Sequence, residues 1–328
     1  MELKNKQIVI ETTNICDAKC VICPRESFKQ KLQIMDMGLF KKIIDDAAQY
    51  GLESVDTCGY GDCFLDNKLF DRFRYIREKL PKAEIFISTT AFHMTPEKWE
   101  SVADLVDILK LSIYGVTPEI YNAFHGGNVN YGGSMRNILG FLDFTKKKKR
   151  PYTIGLFVTT DLNRHEKDQW IETWEPVLDE VFVWEPHNWV NNRSYRNVDH
   201  TRQCTCGRPE NGPVYIHADG TASPCCWDIH KELKLGDFNT QTIEEIYKGE
   251  AYQELRRKHR AGDFSGLLCE NCDQTNYNPD VLLYANNKAR KVGQITSNAK
   301  AIREEGNVPL HTADVGDSVL SGESCGCL

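Results

Sequence analysis

The stretch Ile10-Glu11-Thr12-Thr13-Asn14-Ile15-Cys16-Asp17-Ala18-Lys19-Cys20-Val21-Ile22-Cys23-Pro24 decides how this chain is read. Three cysteines stand at the spacing C-x3-C-x2-C, directly after a β-branched run that reads as a strand over Gln7 to Thr12. Thiolates are soft ligands that suit iron–sulfur clusters and zinc. Three of them on one loop can wrap one face of a [4Fe–4S] cube and leave one iron without a protein ligand. Structural metal sites are closed, and sites that do chemistry keep a position open. With 13 cysteines in 328 residues, chance supplies this triplet only about 0.02 times. A zinc half-site or a few buried thiols are the plainer alternatives.

The rest of the composition is that of a globular protein large enough for a sizeable core or two domains: 41% hydrophobic and 27% charged. A net charge of -7 gives no electrostatic case for nucleic acid as a partner. No run of eighteen apolar residues exists, so no membrane span is expected. The start, Met1 to Lys6, lacks the apolar segment of a secretory signal. Cysteines in metal-type spacings rather than a disulfide framework suit a reducing cytoplasm. The basic run Lys146 to Arg150 reads as cations at a helix C-terminus.

Strand and helix alternate along the first 190 residues. A helix capped by Asp36 carries the stripe Leu39, Phe40, Ile43, Ile44, Ala47 and stops at Gly51. Strands are expected at Ser54–Cys58, Glu84–Ser88, Ile108–Ile113, Tyr152–Thr159 and Val181–Trp184. Helices lie between them: one marked by Leu69 to Leu80, one opened by Thr95-Pro96, one over Ile138–Phe144 and one over Glu166–Trp174. Short apolar strands alternating with helices imply an α/β fold with parallel strands. In such barrels the chemistry sits at the C-terminal ends of the strands, where the cysteine loop falls.

With Ile22 as the apolar residue before the last cysteine, the loop resembles the C-x3-C-x-Φ-C element of the radical S-adenosylmethionine (SAM) superfamily. That resemblance covers residues 5 to 190 and implies a partial (β/α)6 TIM-like barrel, a [4Fe–4S] cluster on Cys16, Cys20 and Cys23, and SAM bound at its open iron. It extends to Gly59-Tyr60-Gly61-Asp62-Cys63, which looks like the superfamily's G-G-E-P element for the SAM amino group, with Asp62 in place of Glu and Cys63 in place of Pro. Glycines let a backbone approach a ligand, and a carboxylate suits an ammonium. By the same resemblance Thr89, Thr90 and Ser112 lie near the SAM carboxylate and ribose; unaided, they are strand-end hydroxyls. Cys58 and Cys63 fall at the same end, and Cys63 is the expected hydrogen-atom donor if the enzyme is an epimerase. His187, just past strand six, is the general-base candidate by location, with a satisfied linker histidine as the plainer reading.

From Cys204 the composition changes. Val214 to His217 and Thr221 to Ser223 flank Asp219-Gly220, a hairpin signal, and a helix carries Ile243, Ile246, Tyr247 and Leu255. This looks like the SPASM or twitch extension, with the pattern C-x(9–15)-G-x4-C and then C-x2-C. It implies a second [4Fe–4S] cluster on Cys206, Cys225, Cys269 and Cys272, with Cys204 as the alternative to Cys206 and Cys226 a bystander. Nothing after Cys272 supplies the further cysteines of the longer SPASM form, so a small α+β twitch domain with one auxiliary cluster is expected. A four-cysteine zinc ribbon is the alternative for these residues alone. The expected division is 1–190 barrel, 191–284 twitch domain and 285–328 polar tail, the last holding Cys325 and Cys327.

The resemblance implies a radical SAM oxidoreductase. A flavodoxin or ferredoxin-type donor reduces the barrel cluster, and a 5′-deoxyadenosyl radical takes hydrogen from the substrate. The chain's size and single auxiliary cluster resemble the aminocyclitol dehydrogenase and sugar epimerase group, so the expected partner is a small-molecule substrate: a polyol, sugar or amino-sugar. Only fifteen residues precede Cys16, where peptide-modifying relatives often carry a further domain. A maturase of ribosomal peptides is the alternative enzyme. A non-catalytic zinc or iron–sulfur binding module is the alternative of another class.

Overall fold

The computed structural model describes residues 3–190, 193–195, 204–275 and 281–286. The expected tail with Cys325 and Cys327 lies outside them. Six strands, β1 (Gln7–Ile10), β2 (Ser54–Asp56), β3 (Glu84–Thr89), β4 (Ile108–Ser112), β5 (Tyr152–Val158) and β6 (Glu180–Trp184), pair in that order and all in parallel. They are a partial (β/α)6 TIM-like barrel. The crossovers are α1 (Met37–Ala47), α2 (Leu69–Lys79), α3 (Trp99–Leu105), the pair α4 (Pro118–His125) and α5 (Tyr131–Phe144), and α6 (Lys167–Trp174).

Alternation along each strand divides the side chains between two faces. Ile8, Ile10, Leu109 and Leu111 join the helix-facing core, whereas Phe86, Ile108, Ile154, Leu156 and Phe182 fill the concave face. The first helix forms as its sequence dictates. The Asp36 carboxylate accepts from the N–H groups of Gly38 and Leu39, and Phe40, Ile43, Ile44 and Ala47 are each at most 1% exposed. Each large side chain buried this way contributes about 1.5–3 kcal/mol. Gly51 turns the chain out at φ 63°.

Three expectations change. The helix at Pro96 opens as a 3-10 turn before α3. A helix passed over in the sequence, α4, follows β4, with Thr117 capping it and Pro118 at its first position. The helix expected through Leu255 is two, α8 (Ile243–Lys248) and α9 (Glu250–Ala261), because Gly249 is extended between them.

After α7 (Arg208–Asn211), the C-terminal strands β7 (Tyr215–Ile216), β8 (Thr221–Ser223) and β9 (Gly236–Asp237) extend the barrel sheet rather than standing apart from it. β7 pairs in parallel with β1, Val9 opposite Tyr215. At the other edge β10 (Leu282–Ala285) runs antiparallel to β6. Glu11, wholly buried just past β1, ties the first seam: its carboxylate accepts from the Tyr60 N–H at 2.8 Å and the Ala218 N–H at 3.0 Å. Burial raises Glu11 from the ordinary 4.5 to about 7, against the pull of those two bonds. A second buried link sits behind β2, where Arg72 donates to Asp66 at 2.7 Å and also to the Met35 carbonyl.

Two outcomes follow from these links. Arg72→Met leaves the Asp66 carboxylate buried and unpaired, and should lower stability by about 3–5 kcal/mol, read as an earlier urea midpoint. Because the folded-state value of Glu11 lies above the unfolded one, the stability this group contributes is full below about pH 4.5 and falls as pH rises to about 7. Glu11→Gln should therefore flatten the fall of Tm across that window, whatever its offset. An unchanged slope would show that another group titrates.

Candidate functional site

The cysteine loop leaves β1 as irregular chain, so its backbone groups need partners from elsewhere. The C-terminal carbonyls of α4 supply two of them: Phe124 accepts from the Val21 N–H at 2.9 Å and His125 from the Lys19 N–H at 2.7 Å. Helix ends have such carbonyls to give. Gly127, at φ 63°, passes so close that a Cβ there would lie 2.0 Å from the Asp17 carbonyl oxygen. Arg25 donates to the carbonyls of Asn14, Tyr60 and Cys16, and the Asn14 side chain clips the loop to Lys31 and Gln33. Trp189 donates from Nε1 to the Ile22 carbonyl at 2.7 Å. Trp189 and Val190 stand at φ 51° and 52°, a left-handed pair that non-glycine residues adopt only under constraint.

This scaffold brings Cys16, Cys20 and Cys23 into one another's fields. Burial pushes the Cys16 thiol up to about 11, and the nearby Asp62 adds to it. Cys20 is raised by burial and then by Cys23 and Cys16. As free thiols these groups keep their protons; a bound cationic centre would supply the charge that lets them ionise and ligate. No three candidate ligands among the described residues converge at the spacing of a single ion. The fit to a cluster rests on the donor set, three desolvated thiols on one backbone-anchored loop.

The glycines of the loop after β2 also meet a packing need within the protein. A Cβ on Gly59 would lie 2.4 Å from the Glu11 side chain, and one on Gly61 would lie 2.3 Å from the Thr13 carbonyl oxygen. They let this loop press on the cysteine loop. Asp62 is 4% exposed; one oxygen caps Phe64, and the other takes the Thr89 hydroxyl at 2.8 Å and the Thr90 hydroxyl at 3.3 Å. Asp62, Thr89 and Thr90 therefore meet, and Asp62 spends hydrogen-bonding capacity inside the protein. At the end of β4 the Ser112 carbonyl lies 3.2 Å from His125 Nε2.

A cavity of about 240 Å³ opens in the concave face. Its lining includes Asp56, Cys58, Gly59, Tyr60, Ser88 and Lys110 from the barrel, Trp189 past it, and Tyr215, Cys225 and Cys226 from the C-terminal part. Two expected catalytic residues do not line it. Cys63, 2% exposed, points into the helix-facing core, because the chain leaves the β2 alternation before reaching it. Of the two cysteines in this part of the barrel, Cys58 is the one that lines the cavity. His187 packs its ring 4.3 Å from that of Trp227, with Nδ1 3.2 Å from Gln274 Nε2. It belongs to the C-terminal cysteine region. A second hollow, about 320 Å³, lies beside Val21 among the loops after β5 and β6.

The C-terminal cysteines also lie within one another's fields. Cys269 is raised by burial and then by Cys206, Cys272 and Cys225, and Cys206 and Cys225 both act on Cys272. Cys204 is not among these leading influences; its backbone N–H pairs with Thr275. Trp189 is the site residue the sequence reading missed: it was in the stretch that yielded His187, and nothing in its spacing marked the strained turn that aims it.

Comparison with known proteins agrees with this arrangement. The radical SAM superfamily model matches residues 10–172, and that of an iron–sulfur cluster-binding domain, SPASM, matches residues 204–273. The SAM-dependent 2-deoxy-scyllo-inosamine dehydrogenase of Niallia circulans is 22% identical over 274 residues, 81% of this chain and 92% of that protein. A tungsten-containing aldehyde ferredoxin oxidoreductase cofactor-modifying protein of Pyrococcus furiosus is 27% identical over 135 residues, 40% of this chain and only 37% of its own length. Among solved structures, BtrN in complex with AdoMet and 2-DOIA has a TM-score of 0.58 at 18% identity, covering 86% of this chain and all 100% of that one. Streptococcus suis SuiB bound to precursor peptide SuiA has a TM-score of 0.64 at 14% identity, covering 83% and 70%. At these identities the structures show the fold. The chain belongs to the radical SAM superfamily: it is an enzyme that takes a [4Fe–4S] cluster with SAM in its barrel and a further iron–sulfur cluster in its SPASM-type C-terminal part.

Proposed function

We propose that the chain is an oxidoreductase that takes a hydrogen atom from a carbinol C–H bond of a small polyol, sugar or amino-sugar, delivers the remaining electron to its C-terminal cluster and releases the hydroxyl proton to solvent, a net dehydrogenation to the carbonyl. The observation that carries this reading is one cavity lined both by Cys58, Gly59 and Tyr60 of the barrel and by Cys225 of the C-terminal part. A substrate held there meets residues of both parts.

In this reading Cys16, Cys20 and Cys23 hold the barrel cluster and leave one iron for SAM, with Ile22 packed behind them. When bound, the cluster and SAM together supply the 5′-deoxyadenosyl radical that abstracts hydrogen. Gly59, Gly61, Thr89, Thr90 and Ser112 shape the SAM side, and Asp62 acts by fixing Thr89 and Thr90. Tyr60, packed against Phe28, Tyr215 and Trp189, keeps water out of the space between. Cys206, Cys225, Cys269 and Cys272 close the second cluster, which suits an electron relay. The electron donor is of flavodoxin or ferredoxin type. The cavity is smaller than the roughly 300–1,000 Å³ usual for drug-sized ligands, which favours one sugar ring. The extent of the match to the Niallia circulans dehydrogenase supports the same class. The higher TM-score against peptide-bound SuiB favours, as the second reading, a peptide maturase.

Anaerobic reconstitution should give about eight irons per chain, two cubes, and reductive cleavage of SAM. Bound zinc without cleavage would overturn the proposal. Cys16→Ala should lose about four irons and all cleavage, and Cys269→Ala should lose about four irons, keep cleavage and lose oxidised product. Deuterium passing into 5′-deoxyadenosine from a labelled polyol, and not from a labelled peptide, separates the two substrate readings.

A further inference from the structure

Lys110 occupies an unusual place. Lysines ordinarily extend their ammonium to bulk water. Lys110 sits in the middle of β4 on the concave face, in the row Ile108, Lys110, Ser112, with Ser88 of β3 and Ile154 of β5 as its register partners. Its side chain lines the cavity, and its ammonium lies 5.3 Å from the centre of the Phe86 ring. It makes no hydrogen bond or ion pair with any described residue. Three donors of a full positive charge thus face the cavity unclaimed.

The neighbouring carboxylate does not answer this charge. Asp56, the one carboxylate among the described residues that line the cavity, accepts from Gln7 at 2.7 Å on one oxygen and from the Ser54 hydroxyl at 2.8 Å on the other. Its charge and that of Lys110 sense each other across the space without contact. A second cation, Arg208, also lines the cavity; it lies over the Trp227 ring at 4.1 Å, and its charge acts on Cys225 and Cys226. The charge of Lys110 reaches Cys58 and Cys226 as well, but without a hydrogen bond to either, so its donors stay open to what enters. Counting Lys110, Arg208 and a fully ionised Asp56, the lining carries a net charge of +1.

We propose that Lys110 anchors an anionic group of the substrate, a carboxylate or a phosphoester, so that this cavity takes an acidic sugar or polyol in preference to a neutral or aminated one. This inference rests on the reading that the cavity is the substrate site. A substrate ammonium there would meet like charge, which an interface disfavours strongly. An anion would complete the three donors and gain from the dry wall of Phe86 and Trp189.

The test is calorimetric titration of the reconstituted holoenzyme with SAM present and no reductant, so that binding is read without turnover. The probes are glucuronate, glucose 6-phosphate, glucose and glucosamine. At least one acid should bind about tenfold or more tighter than glucose, glucosamine should bind no tighter than glucose, and the preference should shrink with added salt. The two acids distinguish carboxylate from phosphoester. Lys110→Met, with iron content and far-UV circular dichroism matching wild type, should bring the acids to the level of glucose, and Lys110→Arg should keep part of the preference. Acids that bind no tighter than glucose, or a preference that survives Lys110→Met, overturns the inference. Failure of the wild-type enzyme to cleave SAM would instead overturn the proposed function, so the two failures are told apart.

Discussion

An irregular loop with three desolvated thiols is costly to hold in place, and the rest of the barrel's rim is arranged around that cost. The loop has no ladder of its own. Its backbone is satisfied by the spent end of α4, by the Arg25 guanidinium and by the Asn14 amide. Each is a group with capacity left over: terminal helix carbonyls, and side chains with several donors. A loop pinned at so many points keeps its cysteines at fixed spacing without regular structure, which is what a cluster with one open corner requires of its ligands.

Buried carboxylates extend the same logic around the rim. Glu11 joins the loop after β2 to the C-terminal hairpin. Asp62 joins the loop after β2 to the end of β3. Glu166, 4% exposed, accepts from the Val116 and Thr117 N–H groups and from the Thr117 hydroxyl, and so positions the start of α4 from the far side. A carboxylate has about four acceptor sites, so one side chain can serve two loops. Asp62 and Glu166 each fix one loop to the next, and Glu11 also holds the seam between β1 and β7.

Much of this was legible in the sequence, and the misses have physical causes. Strand and helix alternation and the Asp36 cap depend on local spacing, and they survived contact with the structure. The helix α4 escaped because its eight residues, bounded by Pro118 and by Gly126-Gly127, are too short to show a period. Position along the chain places Cys58 and Cys63 alike at the rim, and only alternation along β2 separates them. Ser54, Asp56 and Cys58 share the inward face, and Cys63 lies past the point where that rule applies. His187 illustrates a different gap: which wall a residue faces after a strand ends depends on a turn, and the left-handed pair Trp189-Val190 has no signature in residue type. Lys110 was legible in principle, as a charge in an inward row of an otherwise apolar strand.

The seam between β1 and β7 bears most directly on chemistry. An electron acceptor helps only if its distance from the substrate is fixed, and two domains joined by a linker alone would leave it free to vary. Here Cys225 follows β8 by two residues, β8 pairs with β7, and β7 pairs with β1. Its position is set by the register of a sheet shared with the strand that launches the cysteine loop. A slip of one residue at Val9 and Tyr215 would turn Tyr215 out of the cavity and carry Cys225 with it. Glu11 guards that register, because its bond to Ala218 is available only when β7 sits where it does. The two halves are thus parts of one sheet, and the cavity between them is the space that this sheet encloses.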